Sequence, residues 1–284
     1  MTAASQEHYL QCEELLRARD RDLWLACLFA PAVARPHIHA LYAFAQEAAD
    51  VSGKVTQPLL GEMRLQWWID ALEADAVQDE GVQGEGVRAN PVADALIDTI
   101  ERFSLPRSEL VALAQAHIFD LYDDAMPTWT ALEDYCRATS SAPIRWAARI
   151  LGADLHAASA GAFDAAGVAL GLTRILRALP ESPVQEKFLP DEAFAGDGGP
   201  SGRQSELGPI VRKLHAQACS RYEQARRLAV DLGPARAALL PCATAPLYLE
   251  RLARSDYDRS RPLGEPSPLR RQWRIWRASR GLGL

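Results

Sequence analysis

Apolar residues recur at three- and four-residue steps along most of the chain, and runs in which apolar and polar residues alternate are missing. That pattern predicts helices and no sheet. The helical stretches read as 5–19, 20–30, 34–52, 57–76, 91–103, 107–124, 129–137, 140–151, 156–178, 206–232, 235–253 and 267–279. Three segments interrupt the periodicity. Residues 78–87 are acidic and glycine-rich, 195–202 hold four glycines and a proline, and 260–268 hold three prolines, which lack the backbone N–H a helix interior needs. None is long enough to demand a domain boundary, and no repeat of fixed period appears, so the expectation is a single all-α domain over 1–284.

Composition sharpens this picture modestly. A chain of 284 residues, 48% hydrophobic and 24% charged, can bury a sizeable core. Its net charge of -6 offers no global positive field to nucleic acid. Five cysteines, Cys12, Cys27, Cys136, Cys219 and Cys242, are widely spaced with no CxxC pair, which suggests neither a zinc site nor a disulfide framework. No apolar run approaches the roughly 20 residues that span a bilayer. Glu7, Glu13 and Glu14 suit neither a secretory signal nor a transit peptide, so the expected setting is the cytoplasm.

Candidate chemistry is sparse. Glu47 and Asp50 lie three apart on a helix and share a face, where two carboxylates can approach one hard cation. Two are too few for magnesium without further oxygens, and the ordinary reading is a solvated helix edge. Asp120, Asp123 and Asp124 fall at i, i+3 and i+4 of the helix read over 107–124 and form the densest acidic cluster. Such a cluster near a helix C-terminus opposes the dipole and is therefore arginine-paired, metal-bound or exposed. The six histidines show no HExxH or Cys/His spacing, and GxSxG, phosphate-loop and GxGxxG signatures are absent. Trp67 and Trp68 sit in an apolar helix where Leu65, Trp68 and Leu72 form one stripe, which reads as core. In the last helix Leu269, Trp273 and Trp276 form a stripe beside Arg270, Arg274 and Arg277, a pattern that suits either ordinary docking or contact with a membrane or partner surface.

Three separated segments fall into a known order and spacing: "LWLACLFAPAVARPHIHALYAFAQEAADV" at 23–51, "MRLQWWIDALEA" at 63–74, and "GVALGLTRILRALPES" followed by "KFLPDE" at 167–192. Together they resemble the squalene/phytoene synthase superfamily. The resemblance implies one all-α domain around a cavity for two prenyl diphosphates. In that family two aspartate-rich motifs bind the magnesium that neutralises the departing diphosphate. Laid on the first motif, Tyr42, Ala43 and Phe44 are kept, Gln46 replaces the arginine, Ala49 and Asp50 stand for the aspartate pair, and Gly53 replaces the last aspartate. On the second, Leu172, Thr173, Ile175, Leu176 and Arg177 are kept, while Arg174, Ala178 and Ser182 replace the asparagine and both flanking aspartates.

Alanine, glycine and serine cannot replace carboxylates around a cation, so Ala49, Gly53, Ala178 and Ser182 mark degenerate catalytic positions. Arg174 puts positive charge where a metal would sit, and it could meet an anionic group directly. The pattern is similar to a non-catalytic branch that contains the mitochondrial complex I assembly factor and its bacterial relatives. The resemblance implies a pseudoenzyme without resident cofactor, whose partners are complex I subunits or assembly intermediates. A prenyl diphosphate or quinone would meet Tyr42, Phe44, Gln46, Asp50, Thr173, Arg174 and Arg177, and the last helix would touch the membrane. The alternatives are an active head-to-head prenyl diphosphate transferase using magnesium, with Glu47, Asp50, Glu181 and the Asp120 cluster as substitute ligands, or a lipid carrier.

Overall fold

The computed structural model describes residues 5–74, 90–155, 160–180, 183–194, 200–255 and 263–281. The expected loop over 78–87, and residues 195–199 and 260–262 of the other two, lie outside the described residues, as do Glu181 and Ser182. Within the described residues there are α-helices and no strand. They run α1 (Gln6–Arg19), α2 (Arg21–Cys27), α3 (Arg35–Ala49), α4 (Val51–Lys54), α5 (Pro58–Glu73), α6 (Pro91–Phe103) and α7 (Arg107–Ala116). They continue with α8 (Trp129–Cys136), α9 (Ala142–Ile150), α10 (Ala160–Ala178), α11 (Pro200–Leu228), α12 (Ala245–Arg254) and α13 (Pro268–Ser279). The all-helical class follows the periodicity. The chain clusters into two compact units interleaved in sequence: Met1–Tyr122, Arg145–Leu155 and Gly233–Ala238 in one, Asp123–Ile144, His156–Leu232 and Leu239–Leu284 in the other.

In the first unit the helix starts follow capping chemistry. Asp20 accepts from Leu23 N at α2, and Asn90 Oδ1 accepts from Val92 N and Ala93 N ahead of Pro91 at α6. α1 packs on α3 and α6, and α5 on α7. Leu16, Leu41, Phe44, Leu65, Leu96, Leu110 and Leu113 show no accessible surface. Burying each such side chain contributes about 1.5–3 kcal/mol. A polar joint lies beside this core. Tyr9 on α1 donates to Asp98 Oδ2 on α6 at 2.5 Å and lies 3.0 Å from His37 Nδ1 on α3, which in turn is 2.9 Å from Thr99 Oγ1.

In the second unit α8 leads into a π-helical segment, Arg137–Ser141, and then directly into α9. The wide π turn lays its backbone against α10 where that helix has no side chains to hold it off. A Cβ on Gly167 would stand 2.2 Å from Ser141 Cα, and one on Gly171 2.8 Å from Cys136 Sγ. Ser141 Oγ donates to Asp164 O at 2.8 Å and fixes the crossing. The other face of α10 packs on α11.

Two expected helices are α-helical over a shorter span than their periodicity suggested, one ending early and one starting late. The stretch 107–124 is helical only to Ala116, tightens into a 3₁₀ turn over His117–Leu121, and is extended at Tyr122. The stretch 235–253 begins as a 3₁₀ segment, Gly233–Thr244, because Pro241 cannot supply the N–H of an α ladder, and becomes α12 only from Ala245. Conversely α11 starts at Pro200, inside the segment read as a loop, since proline is tolerated at a first helical position.

Candidate functional site

The first motif segment lies on α3 and α4. Tyr42 and Phe44 are buried, and Phe44, with no accessible surface, packs edge-on to Trp68 at 5.0 Å. Phe44 is therefore a core residue of its unit with no surface to offer a ligand. Asp50, the remaining acid of the motif, is already engaged: its Oδ2 lies 3.3 Å from Arg19 Nη1 and 3.5 Å from Lys54 Nζ, and Gln46 Nε2 donates to its Oδ1 at 2.9 Å. Glu47 is partly buried, and that burial pushes its carboxyl up against the opposing pull of Lys54 and an Asn90 hydrogen bond. It faces a groove of about 390 Å³ shared with Lys54, Met63, Arg64, Trp67 and Trp68. Trp68 belongs to the core stripe with Leu65 and Leu72 as its spacing suggested, whereas Trp67 is only half-buried and lines the groove.

The second motif segment lies on α10. Thr173 is buried and its hydroxyl donates to Ala169 O at 2.6 Å, one turn back in the same helix. Arg174 is exposed and takes part in no ion pair among the described residues. Arg177, one turn further on the same face, pairs with Glu265 at 2.7 Å and stacks 3.8 Å over the ring of Tyr248. The Arg177–Glu265 partnership was invisible in the sequence, because Glu265 stands in a proline-rich connection with no periodicity and 88 residues away.

Magnesium, which the active-transferase alternative requires, needs six oxygen donors with several fixed by the protein or a phosphate. The residues here do not fit it. Ala49, Gly53 and Ala178 carry no donor atom, and Asp50 is neutralised by two cations. Among the described residues no three histidine, cysteine, aspartate or glutamate side chains converge as a metal set. The Asp120 cluster is not a helix face either. Asp120 bonds His117 Nδ1 at 2.7 Å within the 3₁₀ turn, and Asp123 and Asp124 follow beyond its end, both exposed. The backbone leaves helical geometry at Tyr122, so the i, i+3, i+4 relation is lost.

The last helix, α13, docks through Ile275 and Ala278, and Arg274 reaches Ala243 O and Tyr222 Oη at 3.2 Å each. The stripe expected to face inward or toward a surface faces out: Leu269 is 78% exposed, Trp273 60% and Trp276 39%. Trp273 and Trp276 stack at 4.8 Å with Arg280 over Trp276. No described helix is long and apolar enough to cross a membrane.

Comparison with known proteins agrees with this layout. The chain is 29% identical over 260 residues to "NADH dehydrogenase (ubiquinone) complex I, assembly factor 6" of Mus musculus, covering 88% of this chain and 75% of the mouse protein. It is 29% identical over 262 residues to the Homo sapiens protein of the same name, covering 89% and 75%. Among solved structures, a dehydrosqualene synthase in complex with ligand superposes with a TM-score of 0.77 at 20% identity, over 98% of this chain and 97% of that one. A squalene synthase from Alicyclobacillus acidocaldarius gives 0.67 at 21%, over 88% and 95%. Those two likenesses establish the fold alone. The Squalene/phytoene synthase family profile matches residues 16–277, nearly the whole chain, and the chain belongs to that family.

Proposed function

We propose that this chain is a non-catalytic member of its family that serves in the assembly of respiratory complex I. The observation that carries the reading is the state of Asp50. The one acid left in the first motif is bound by Arg19, Lys54 and Gln46, beside an alanine and a glycine where the family has aspartates. A diphosphate leaving group needs several charges offset at once, and this donor set cannot hold the cation that would do it. The relatives' printed role, complex I assembly, supplies the alternative employment for the fold.

The exposed Trp273–Trp276 stack with Arg270, Arg277 and Arg280 suits contact with a membrane-bound client or its lipid surface. The setting that goes with this role is the cytoplasmic side of the inner membrane, with no resident cofactor. A prenyl diphosphate or quinone is the ligand proposed alongside it, with Arg174 and Arg177 of α10 as the groups suited to an anionic head. The test is a deletion strain. NADH:quinone oxidoreductase activity and the mature complex on native gels fall, and a wild-type copy restores both. Normal complex I in the deletion strain, or magnesium-dependent release of pyrophosphate from farnesyl diphosphate by purified protein, overturns the proposal.

A further inference from the structure

Of the five cysteines, Cys12, Cys27, Cys136 and Cys242 are buried, and Cys219 alone keeps accessible surface. It lies in a groove of about 500 Å³ between α11 and α12, within the second unit. His215, Cys219 and Tyr222 recur at three- and four-residue steps along the α11 wall, and Pro246, Leu249 and Ala253 do so along the α12 wall.

The thiol has a base beside it. His215 stands one turn back on α11, and its ring nitrogens Nδ1 and Nε2 lie 3.9 and 3.8 Å from Cys219 Sγ. Nε2 donates to Leu249 O on α12 at 2.9 Å. A carbonyl only accepts, so Nε2 carries a hydrogen and the neutral ring has its lone pair at Nδ1. A nucleophile, a base within its reach and a third group that orients the base form the arrangement by which proteins activate a thiol. Activation is needed here, because burial pushes the Cys219 thiol up and Glu223 pushes it further.

The groove also narrows the choice of partner. Its charged groups are engaged with their neighbours: Glu223 with Arg226 at 2.7 Å, Glu250 with Arg254 at 3.4 Å, and Arg274 of α13 with Ala243 O and Tyr222 Oη at 3.2 Å each. Beyond these pairs the groove offers the apolar wall of α12 and the sulfur with its base. Such a lining suits an uncharged molecule with an apolar tail and a soft electrophilic carbon. Addition across a conjugated C=C bond meets both conditions, since it expels no charged leaving group.

We propose that Cys219, with His215 as its base, is an adduct-forming thiol for α,β-unsaturated carbonyl compounds that carry an apolar tail. His215 Nδ1 takes the Cys219 proton and Sγ bonds to the β-carbon. The π pair moves to the α-carbon, which recovers the proton from the imidazolium. The product is a thioether, and no oxidant, reductant or further reactant is consumed. This site is independent of the role in assembly.

The test treats the full chain with 2-nonenal or with crotonaldehyde, and peptide mass spectrometry locates and times the adducts. They form first at Cys219. Measured against glutathione with the same two aldehydes, the longer one gains at least roughly tenfold at Cys219, because the groove buries its extra methylenes. His215→Gln keeps a donor for Leu249 O but has no basic nitrogen. At neutral pH it reacts roughly tenfold more slowly than the wild type, and the gap closes as pH rises and hydroxide takes the proton instead. The tail preference is read on the wild type alone, so it carries the comparison even if H215Q loosens α12. First modification at another cysteine, a tail preference no greater than that of glutathione, or a rate gap that is absent or constant with pH overturns the proposal.

Discussion

Replacing Gly167 by alanine adds one methyl group at the crossing of α10 with the π-helical segment. Two effects of opposite sign compete. Alanine is the better helix former and would stabilise the interior of α10 by about 1 kcal/mol. Against this, the new Cβ would stand 2.2 Å from Ser141 Cα, 2.4 Å from Ser141 Oγ and 2.5 Å from Ser141 N. These are mostly backbone atoms, which cannot swing aside as a side-chain tip can. The segments must part by more than an ångström, which typically costs 1–3 kcal/mol and at a backbone contact somewhat more. Parting also stretches the Ser141–Asp164 hydrogen bond, worth about 1 kcal/mol net. The clash wins, with a net loss of about 2–3 kcal/mol once the propensity gain is subtracted. For a chain of this size that is a fall in Tm of roughly 3–5 °C. Gly161 on the same helix is the internal control, because a Cβ there meets only Leu228 Cδ1 at 3.3 Å, and G161A should be neutral or slightly stabilising. Urea melts followed by circular dichroism read both variants. If G167A proves as stable as G161A, the close approach of π segment and helix is wrong.

His39 is almost fully buried, and burial lowers its pKa to about 4, with Glu13 pulling up and Arg35 pushing further down. Glu13 lies 3.8 Å away but is therefore no ion-pair partner at neutral pH. Because the unfolded imidazole protonates near 6.5 and the folded one does not, stability is lost as pH falls from about 6.5 to 4, by about 3 kcal/mol in full. His39→Leu should flatten that part of the stability–pH curve, and an unchanged slope would refute the assignment. Asp50→Asn leaves Arg19 and Lys54 without their carboxylate, and with both cations largely in solvent the cost stays below about 1 kcal/mol. Complementation of a deletion strain by a folded D50N protein should be intact, and its failure would show that Asp50 does more than balance charge. Trp273→Ala with Trp276→Ala should move stability by no more than about 0.5 kcal/mol. Ile275→Ala, on the buried side of the same helix, should cost about 2 kcal/mol. Co-sedimentation of the double tryptophan variant with anionic vesicles, no weaker than wild type, would remove the interfacial role of this face.

Most of the fold was legible because helices announce themselves through periodic burial. Stretches such as 5–19, 91–103 and 267–279 differ from α1, α6 and α13 by a residue or less at each end. Legibility failed where backbone chemistry overrode the pattern. At 107–124 the apolar spacing continues past His117, yet the local bond from His117 to Asp120 accompanies a 3₁₀ turn, and the acidic face dissolves with it. The π segment left no mark beyond a gap between two predicted helices, although its seat was written in the spacing of Gly167 and Gly171. The losses at Ala49, Gly53 and Ala178 could be read directly, since an absent carboxylate needs no geometry. What replaced them could not. The partners of Asp50 and Arg177 are contacts at long sequence range, Arg19 in one case and Glu265 in the other.

The polar joint among α1, α3 and α6 bears on how the chain emerges during synthesis. Tyr9 leaves the ribosome ahead of the carboxylate it donates to, Asp98, which follows 89 residues later. At the usual pace of translation that interval is roughly 4–18 s, far longer than helix formation itself needs. For that time α1 carries Cys12 and Leu16, both without accessible surface in the finished fold, with no α6 to cover them. A nascent chain stalled before α6 should therefore be held by hydrophobic-binding chaperones, and one stalled after α6 released, which makes vectorial folding of the first unit a post-α6 event.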